Sequence, residues 1–177
     1  MIIQGKGEFN ILNNSFNSVP SDIIINKESK PECRKRCQFV NNLNIVTIKF
    51  DTQIQSCSNM FGGIINIAEI DLSNFDSTNV MSMHSMFTYC ATILIYKLIL
   101  KKITFGNIYT CLVQNIEKLF YFCENLIIID RLNFDTSSVK TMKRMFSNCE
   151  LYYQQMHNLL LKMMKICMIC LLIAIKQ

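Results

Sequence analysis

An α/β fold, built as a short solenoid of strand–turn–helix units, is what this 177-residue sequence predicts. Three observations lead there. A motif is written twice, the spacing of about 26 residues recurs elsewhere in the chain, and the hydrophobic period changes inside each copy. The first copy runs Asn74-Phe75-Asp76-Ser77-Thr78-Asn79-Val80 through Met86-Phe87 to Cys90. The second runs Asn133-Phe134-Asp135-Thr136-Ser137-Ser138-Val139 through Met145-Phe146 to Cys149. Counted from the Phe, both place Val at +5, Met at +8 and +11, Phe at +12 and Cys at +15. A repeat of this length dictates an architecture in which each unit buries its apolar face against the next.

Met60-Phe61 precedes Met86-Phe87 by 26 residues, and Leu119-Phe120 precedes Met145-Phe146 by 26. From Phe87 to Phe120 the gap is 33, so the unit across residues 91–107 is longer or damaged. Weaker copies start at Phe50-Asp51-Thr52 and at Ile108-Tyr109-Thr110, and the array is therefore partly degenerate. Within a unit, Ile67, Ile70, Leu72 and Phe75 recur at short, roughly alternating spacing, as do Leu126, Ile129, Leu132 and Phe134. That pattern predicts a strand. The Asp-Ser/Thr residues that follow turn the chain and offer side-chain oxygens to cap a helix. From Val80, Met83 and Met86-Phe87, and from Val139, Met142 and Met145-Phe146, the spacing becomes i, i+3, i+6, i+7. It predicts a helix of about two turns.

The run Ile70 to Val80 with Met83, Met86-Phe87 and Cys90, and its second copy from Asp135 to Cys149, resembles the BspA-like leucine-rich-repeat surface proteins, a mycoplasma-type lipoprotein repeat family. The resemblance covers about residues 50–149. It implies a leucine-rich-repeat-like solenoid on a cell surface, with members implicated in adhesion to other cells or to matrix proteins. Its motif is a scaffold motif and brings no catalytic residue with it.

Three regions follow: an N-terminal cap or poorly ordered lead-in over 1–49, the repeats over 50–149, and a hydrophobic tail over 150–177. The first region is rich in Asn, Ser and Ile without a clear period. Met1-Ile2-Ile3 is followed by Gly5, Lys6, Gly7 and Glu8, with neither the apolar core of a secretory signal nor a lipobox-like Cys. Location stays open: the resemblance points to the surface, while the N-terminus shows no export signal. In the tail, the uninterrupted apolar run Ile166 to Ile175 is ten residues, where a spanning helix wants about twenty. Membrane contact is expected only through this marginal tail. With AT-rich codons, reading Met163 to Leu171 two bases later restores a Met-x-x-Met-Phe signature, so the tail and the middle unit read as out of frame.

Composition is that of a chain able to bury a core, at 50% hydrophobic and 18% charged residues. The net charge of +5 is mild. Its local concentration at Lys27, Lys30, Arg34, Lys35 and Arg36 is set against Glu28 and Glu32 and lacks interleaved aromatics, so no nucleic-acid partner is expected. The nine cysteines are an odd number in a chain too long for a small disulfide scaffold. Cys90, Cys123 and Cys149 share one repeat position and read as small buried hydrophobes, a disulfide ladder being the alternative. Cys33-x3-Cys37 and Cys167-x2-Cys170 lack the second pair a zinc site needs. Asn74 and Asn133 read as an inward ladder satisfying backbone groups between units, with a surface position as the alternative.

No Gly-rich phosphate loop, nucleophile elbow or His/carboxylate cluster stands out, so neither an enzyme nor a cofactor is expected. The expected function is a non-catalytic protein-interaction or cell-surface adhesion module whose ligand is a matrix or host-cell protein. The alternatives are an intracellular scaffold repeat protein and a degenerate fragment of a longer surface protein.

Overall fold

Nine strands and no helix make up the regular structure of the described residues. The structure, a computed structural model, describes residues 1–90, 100–130 and 134–149. In chain order the strands are β1 (Ile2–Gln4), β2 (Gly7–Asn10), β3 (Asp22–Ile25), β4 (Glu28–Ser29), β5 (Arg36–Phe39), β6 (Leu43–Lys49), β7 (Ile67–Asp71), β8 (Lys102–Thr104) and β9 (Ile128–Asp130). Seven join in one sheet of order β4-β3-β6-β1-β7-β8-β9, and β2 pairs with β5. Residues 1–49, which show no period in sequence, supply the antiparallel part of this sheet, and β7, β8 and β9 form its parallel part.

The parallel strands hold Ile70, Ile103 and Ile129 in register, with all three buried. They lie where the sequence alternates apolar and polar residues, because one face of the sheet meets the core. In the middle unit Leu100, Ile103 and Phe105 are all at most 1% exposed. The expectations for 91–99 and for the tail from 150 onward lie outside the described residues.

The predicted helices are not there, and the strand–turn–helix solenoid is therefore not the fold. In place of each helix stands a corner, over residues 57–64, 83–90, 116–123 and 142–149. Isolated parallel bridges Ser56–Ser82, Ser82–Asn115 and Asn115–Thr141 align the four corners. An α-helix would send the Phe87 N–H to Met83; here it goes to the carbonyl of Leu119 in the next repeat, at 3.0 Å. The donors alternate. Met83, Ser85, Phe87 and Tyr89 donate across to Asn115, Glu117, Leu119 and Tyr121 at 2.8–3.0 Å. Met86, Thr88 and Cys90 donate three residues back within the corner, at 3.2–3.3 Å. The first and third corners repeat this scheme position by position.

Why the sequence reads as helical follows from this geometry. A chain of three-residue turns places i, i+3 and i+6 on one side just as a helix does, and Val80, Met83, Met86 and Phe87 are all fully buried. What breaks the helix is a residue in the left-handed region at two fixed places per corner. These are Asn59 and Gly63, Ser85 and Tyr89, Lys118 and Phe122, and Arg144 and Asn148.

Inside the corners runs a stack of phenyl rings. Phe61–Phe87, Phe87–Phe120 and Phe120–Phe146 have centroids 5.7, 5.5 and 5.3 Å apart, with planes 13°, 6° and 13° from parallel. Phe105 meets Phe87, Phe120 and Phe134 edge-on. Aromatic pairs of this kind add about 0.5–1.5 kcal/mol beyond area burial. Close approach between repeats also sets Gly106, at φ +60°, where a Cβ would lie 2.6 Å from the Ser73 Cα.

Phe87 carries two stacked neighbours and one edge contact, so Phe87→Ala is expected to cost about 3–5 kcal/mol. Denaturant unfolding measures it; a loss below about 1 kcal/mol would show that the ring stack does not hold the repeats together.

Candidate functional site

The repeated residues singled out from sequence divide into an interior set and a surface set. Val80, Met83, Met86, Phe87 and Cys90 are buried, as are Phe134, Met142 and Met145, while Phe75, Val139, Phe146 and Cys149 are partly buried against the same core. Asn74 is exposed in the turn after β7, so it is the surface alternative that describes this residue. Asn133 lies outside the described residues.

The polar ladder that satisfies corner backbone lies at a different position. Ser56 Oγ, Ser82 Oγ and Asn115 Oδ1 accept from the N–H two residues on, those of Ser58, His84 and Glu117, at 3.2, 3.3 and 2.9 Å. These side chains complete the corner's donor accounting, since they take the one N–H that neither alternation serves. The residue type varies (Ser, Ser, Asn), which is why the ladder does not stand out as a motif. A second buried row, Ser77, Thr110 and Thr136, ties repeats at the other side of the corner. Ser77 Oγ accepts from Tyr109 N–H at 2.8 Å, and Thr110 Oγ1 donates to the Asp135 carbonyl at 3.0 Å.

Asp71, Asp76 and Asp135 close Asx turns onto Ser73, Thr78 and Ser137, with N–H···Oδ1 distances of 2.9, 3.0 and 2.9 Å. They cap turns where helix caps were expected. Hydrogen bonds from the Ser or Thr hydroxyl and then from the backbone N–H hold each carboxyl below its ordinary pKa. Among the described residues no group of three His, Cys, Asp or Glu is placed to hold a metal ion.

The repeat cysteines carry free thiols, and each points back one repeat. Cys90 Sγ donates to the Phe61 carbonyl at 3.0 Å, Cys123 Sγ to Phe87 at 2.8 Å and Cys149 Sγ to Phe120 at 2.6 Å. A small apolar side chain with one weak donor suits this position, because the Phe carbonyl has a lone pair beyond the turn bond it already accepts. Burial pushes the Cys57 and Cys90 thiols up to about 12. Cys123 is raised too, by its contact with Cys149 and then by burial.

Three cations of the basic stretch, Lys30, Lys35 and Arg36, have partners. Lys30 meets Glu28 at 2.9 Å, Arg36 meets Glu8 at 3.2 Å, and Lys35 Nζ donates to the carbonyls of Asn14 and Phe16.

Two surface features remain, and sequence reading did not find either. One is an aromatic edge. Tyr89, 51% exposed, stacks on Phe122 at 5.1 Å and meets Tyr121 edge-on at 5.5 Å. The other is an open cleft of about 630 Å³ between β6 and β7, with Phe50 and Phe75 among its walls. An exposed aromatic cluster and a half-apolar cleft are the usual raw material of binding sites.

Fold and surface together define a class for the described residues: a β-sheet architecture in which sequence repeats pair in parallel behind an antiparallel N-terminal part. A family model described as Mycoplasma protein of unknown function, DUF285, matches residues 95–166, so the chain is similar to a mycoplasma-type family over that stretch. That match does not distinguish the BspA-like group. No curated protein and no solved structure matches the chain.

Two outcomes test this geometry. Under a thiol reagent at pH 8, exposed Cys111 is expected to label at once and Cys57, Cys90 and Cys123 only on unfolding, read site by site by mass spectrometry; early labelling of Cys90 contradicts the buried ladder. For the turn aspartates the folded pKa lies below the unfolded value. Their contribution is therefore complete above about pH 4 and is lost as pH falls through the depressed values. Asp76→Asn with Asp135→Asn keeps both turns, so denaturation midpoints should fall less between pH 6 and pH 3 than in the parent; an equal fall would show that these carboxylates contribute nothing.

Proposed function

We propose that the chain is a non-catalytic repeat module for protein–protein interaction, of the kind that BspA-like surface repeats exemplify, and that its ligand is a protein of matrix or host-cell origin. The observation that carries this reading is the aromatic edge. Tyr89 and Phe122 sit at φ +53° and +56°, where the equivalent residues of the first and last corners are Gly63 and Asn148. Gly and Asn are the residues that tolerate this backbone. A bulky aromatic there costs about 1–2 kcal/mol, and rings that keep solvent contact, Tyr89 half-exposed and Phe122 partly buried, recover only part of that cost through burial. Backbone strain held at two rings that pack on each other at 5.1 Å and keep solvent contact supports a surface kept for binding.

Replacing both rings by the residue that the fourth corner already uses, Tyr89→Asn with Phe122→Asn, is expected to leave stability within about 1 kcal/mol of the parent. The same pair is expected to weaken binding to immobilised matrix proteins by about tenfold or more. Plate binding with both folded proteins, checked by circular dichroism, decides it. Full retention of binding by the double variant would sink the aromatic edge as the contact.

A further inference from the structure

The seventh residues of the four corners form a row across the repeats: Gly63, Tyr89, Phe122 and Asn148. Backbone bonds set this row in register. Gly63 N–H donates to the Thr88 carbonyl at 2.7 Å, Tyr89 N–H to Tyr121 at 2.9 Å and Phe122 N–H to Ser147 at 2.9 Å. All four residues share the left-handed backbone, so a side chain at each position starts from the same geometry. One repeat along the row is a stacking distance: the Tyr89 and Phe122 centroids lie 5.1 Å apart, with planes 25° from parallel. The interior rings, one per repeat, stack at 5.3–5.7 Å for the same reason.

Glycine stands at the start of the row, and the place of a ring is open there. Apart from the glycine's chain neighbours, no described heavy atom lies within 4 Å of where a Gly63 Cβ would stand. The opening flanks Tyr89. Both ring contacts of Tyr89, with Phe122 and with Tyr121, come from the third corner, and among the described residues no ring of the first corner meets it. Tyr89 is therefore 51% exposed, whereas Phe122, between Tyr89 and Asn148 in the row, is partly buried. The floor of the slot is fixed despite its two glycines. Gly62 N–H donates to the Asn59 carbonyl at 2.9 Å, the Gly62 carbonyl accepts from Asn13 Nδ2 at 2.6 Å, and Thr88 holds the Gly63 N–H. A floor already ordered spares a ligand the cost of ordering it.

We propose that the slot over Gly63 receives an aromatic side chain of the protein ligand, stacked on the open face of Tyr89. The proposal rests on the aromatic edge being the ligand contact and adds which group that edge receives. A ring in the slot continues the row, meeting Tyr89 from the first-corner side as Phe122 meets it from the third. Ring-on-ring packing adds an attraction that an aliphatic side chain lacks. Gly63 keeps the place open, and Asn148 shows that the same backbone accepts Asn, so the slot can be filled without removing either ring.

The test uses the full chain, isotope-labelled, with the N-acetyl amides of tryptophan, leucine and arginine as probes in NMR titrations. The tryptophan probe is expected to bind about two- to tenfold tighter than the leucine probe. Its ring current is expected to move the Gly63 Cα protons upfield. Gly63→Asn should keep the denaturation midpoint and abolish the preference for tryptophan. The proposal is overturned by the absence of saturable tryptophan binding, by equal binding of leucine, by tighter binding of arginine, or by tryptophan binding that Gly63→Asn leaves intact. Binding to immobilised matrix proteins separates the slot from the edge. Loss in Gly63→Asn as well as in Tyr89→Asn with Phe122→Asn supports the slot. Loss in the double variant alone overturns the slot and leaves the aromatic edge standing.

Discussion

The alternation of hydrogen bonds at the corners is the constraint from which the remaining structure follows. Each corner must satisfy its donors in two directions at once, half within its own turns and half in the next repeat. That requirement fixes the distance between repeats, and with it the separation of the phenyl rings at 5.3–5.7 Å. It also fixes which residues face inward, because only the turn-bonded geometry brings Met83, Met86 and Phe87 to one side. A repeat cut from its neighbours would lose the corner bonds that cross between repeats and all of its stacked ring contacts together. Stability therefore resides between repeats rather than within them.

This explains why the sequence revealed the repeats and the strands but misled about the corners. Hydrophobic spacing reports which residues share a side, and three-residue turns and α-helices agree on that for two turns' length. The distinguishing information lies in the backbone sign at single positions. Asn59, Gly63 and Asn148 announce it by residue type, whereas Lys118, Tyr89 and Phe122 conceal it. Asn74 misled in the opposite sense. Its recurrence in the motif suggested an inward ladder, but the turn after β7 leaves it in solvent, and the ladder runs through Ser56, Ser82 and Asn115. In residues 1–49 the strands are mostly three or four residues long. In β6 the apolar Ile45 faces out while Asn44 is fully buried, bonded to Asn26 and to the Asn41 carbonyl. A period of two cannot show through such a segment.

The surface features were illegible for a related reason. Tyr89, Tyr121 and Phe122 lie in two different repeats at positions where the best copies disagree, so comparing copies hides them. Their meaning appears only when ring contacts, exposure and backbone conformation are taken together. The cleft depends on three strands of unequal length drawn from residues 1–71, a relation that no local pattern encodes.

Polarity connects the N-terminal part to the repeats. Within the corners every backbone hydrogen bond between repeats runs from an N–H of the earlier repeat to a carbonyl of the later one, while just before them Met81 and Gln114 donate the other way, to Gln55 and Met81. The first corner therefore presents carbonyls with no earlier repeat to serve them, and two of these, at Met60 and Gly62, accept from the Asn13 N–H and Nδ2 at 3.0 and 2.6 Å. The N-terminal part thus supplies at Asn13 the donors that a preceding repeat would have supplied. On the sheet side it does the same with β1, but only over three residues. The corner edge is matched by the side chain and backbone of one Asn, and the strand edge of β7 by β1, which sets Ile2 against Glu69 and Ile3 against Ile67.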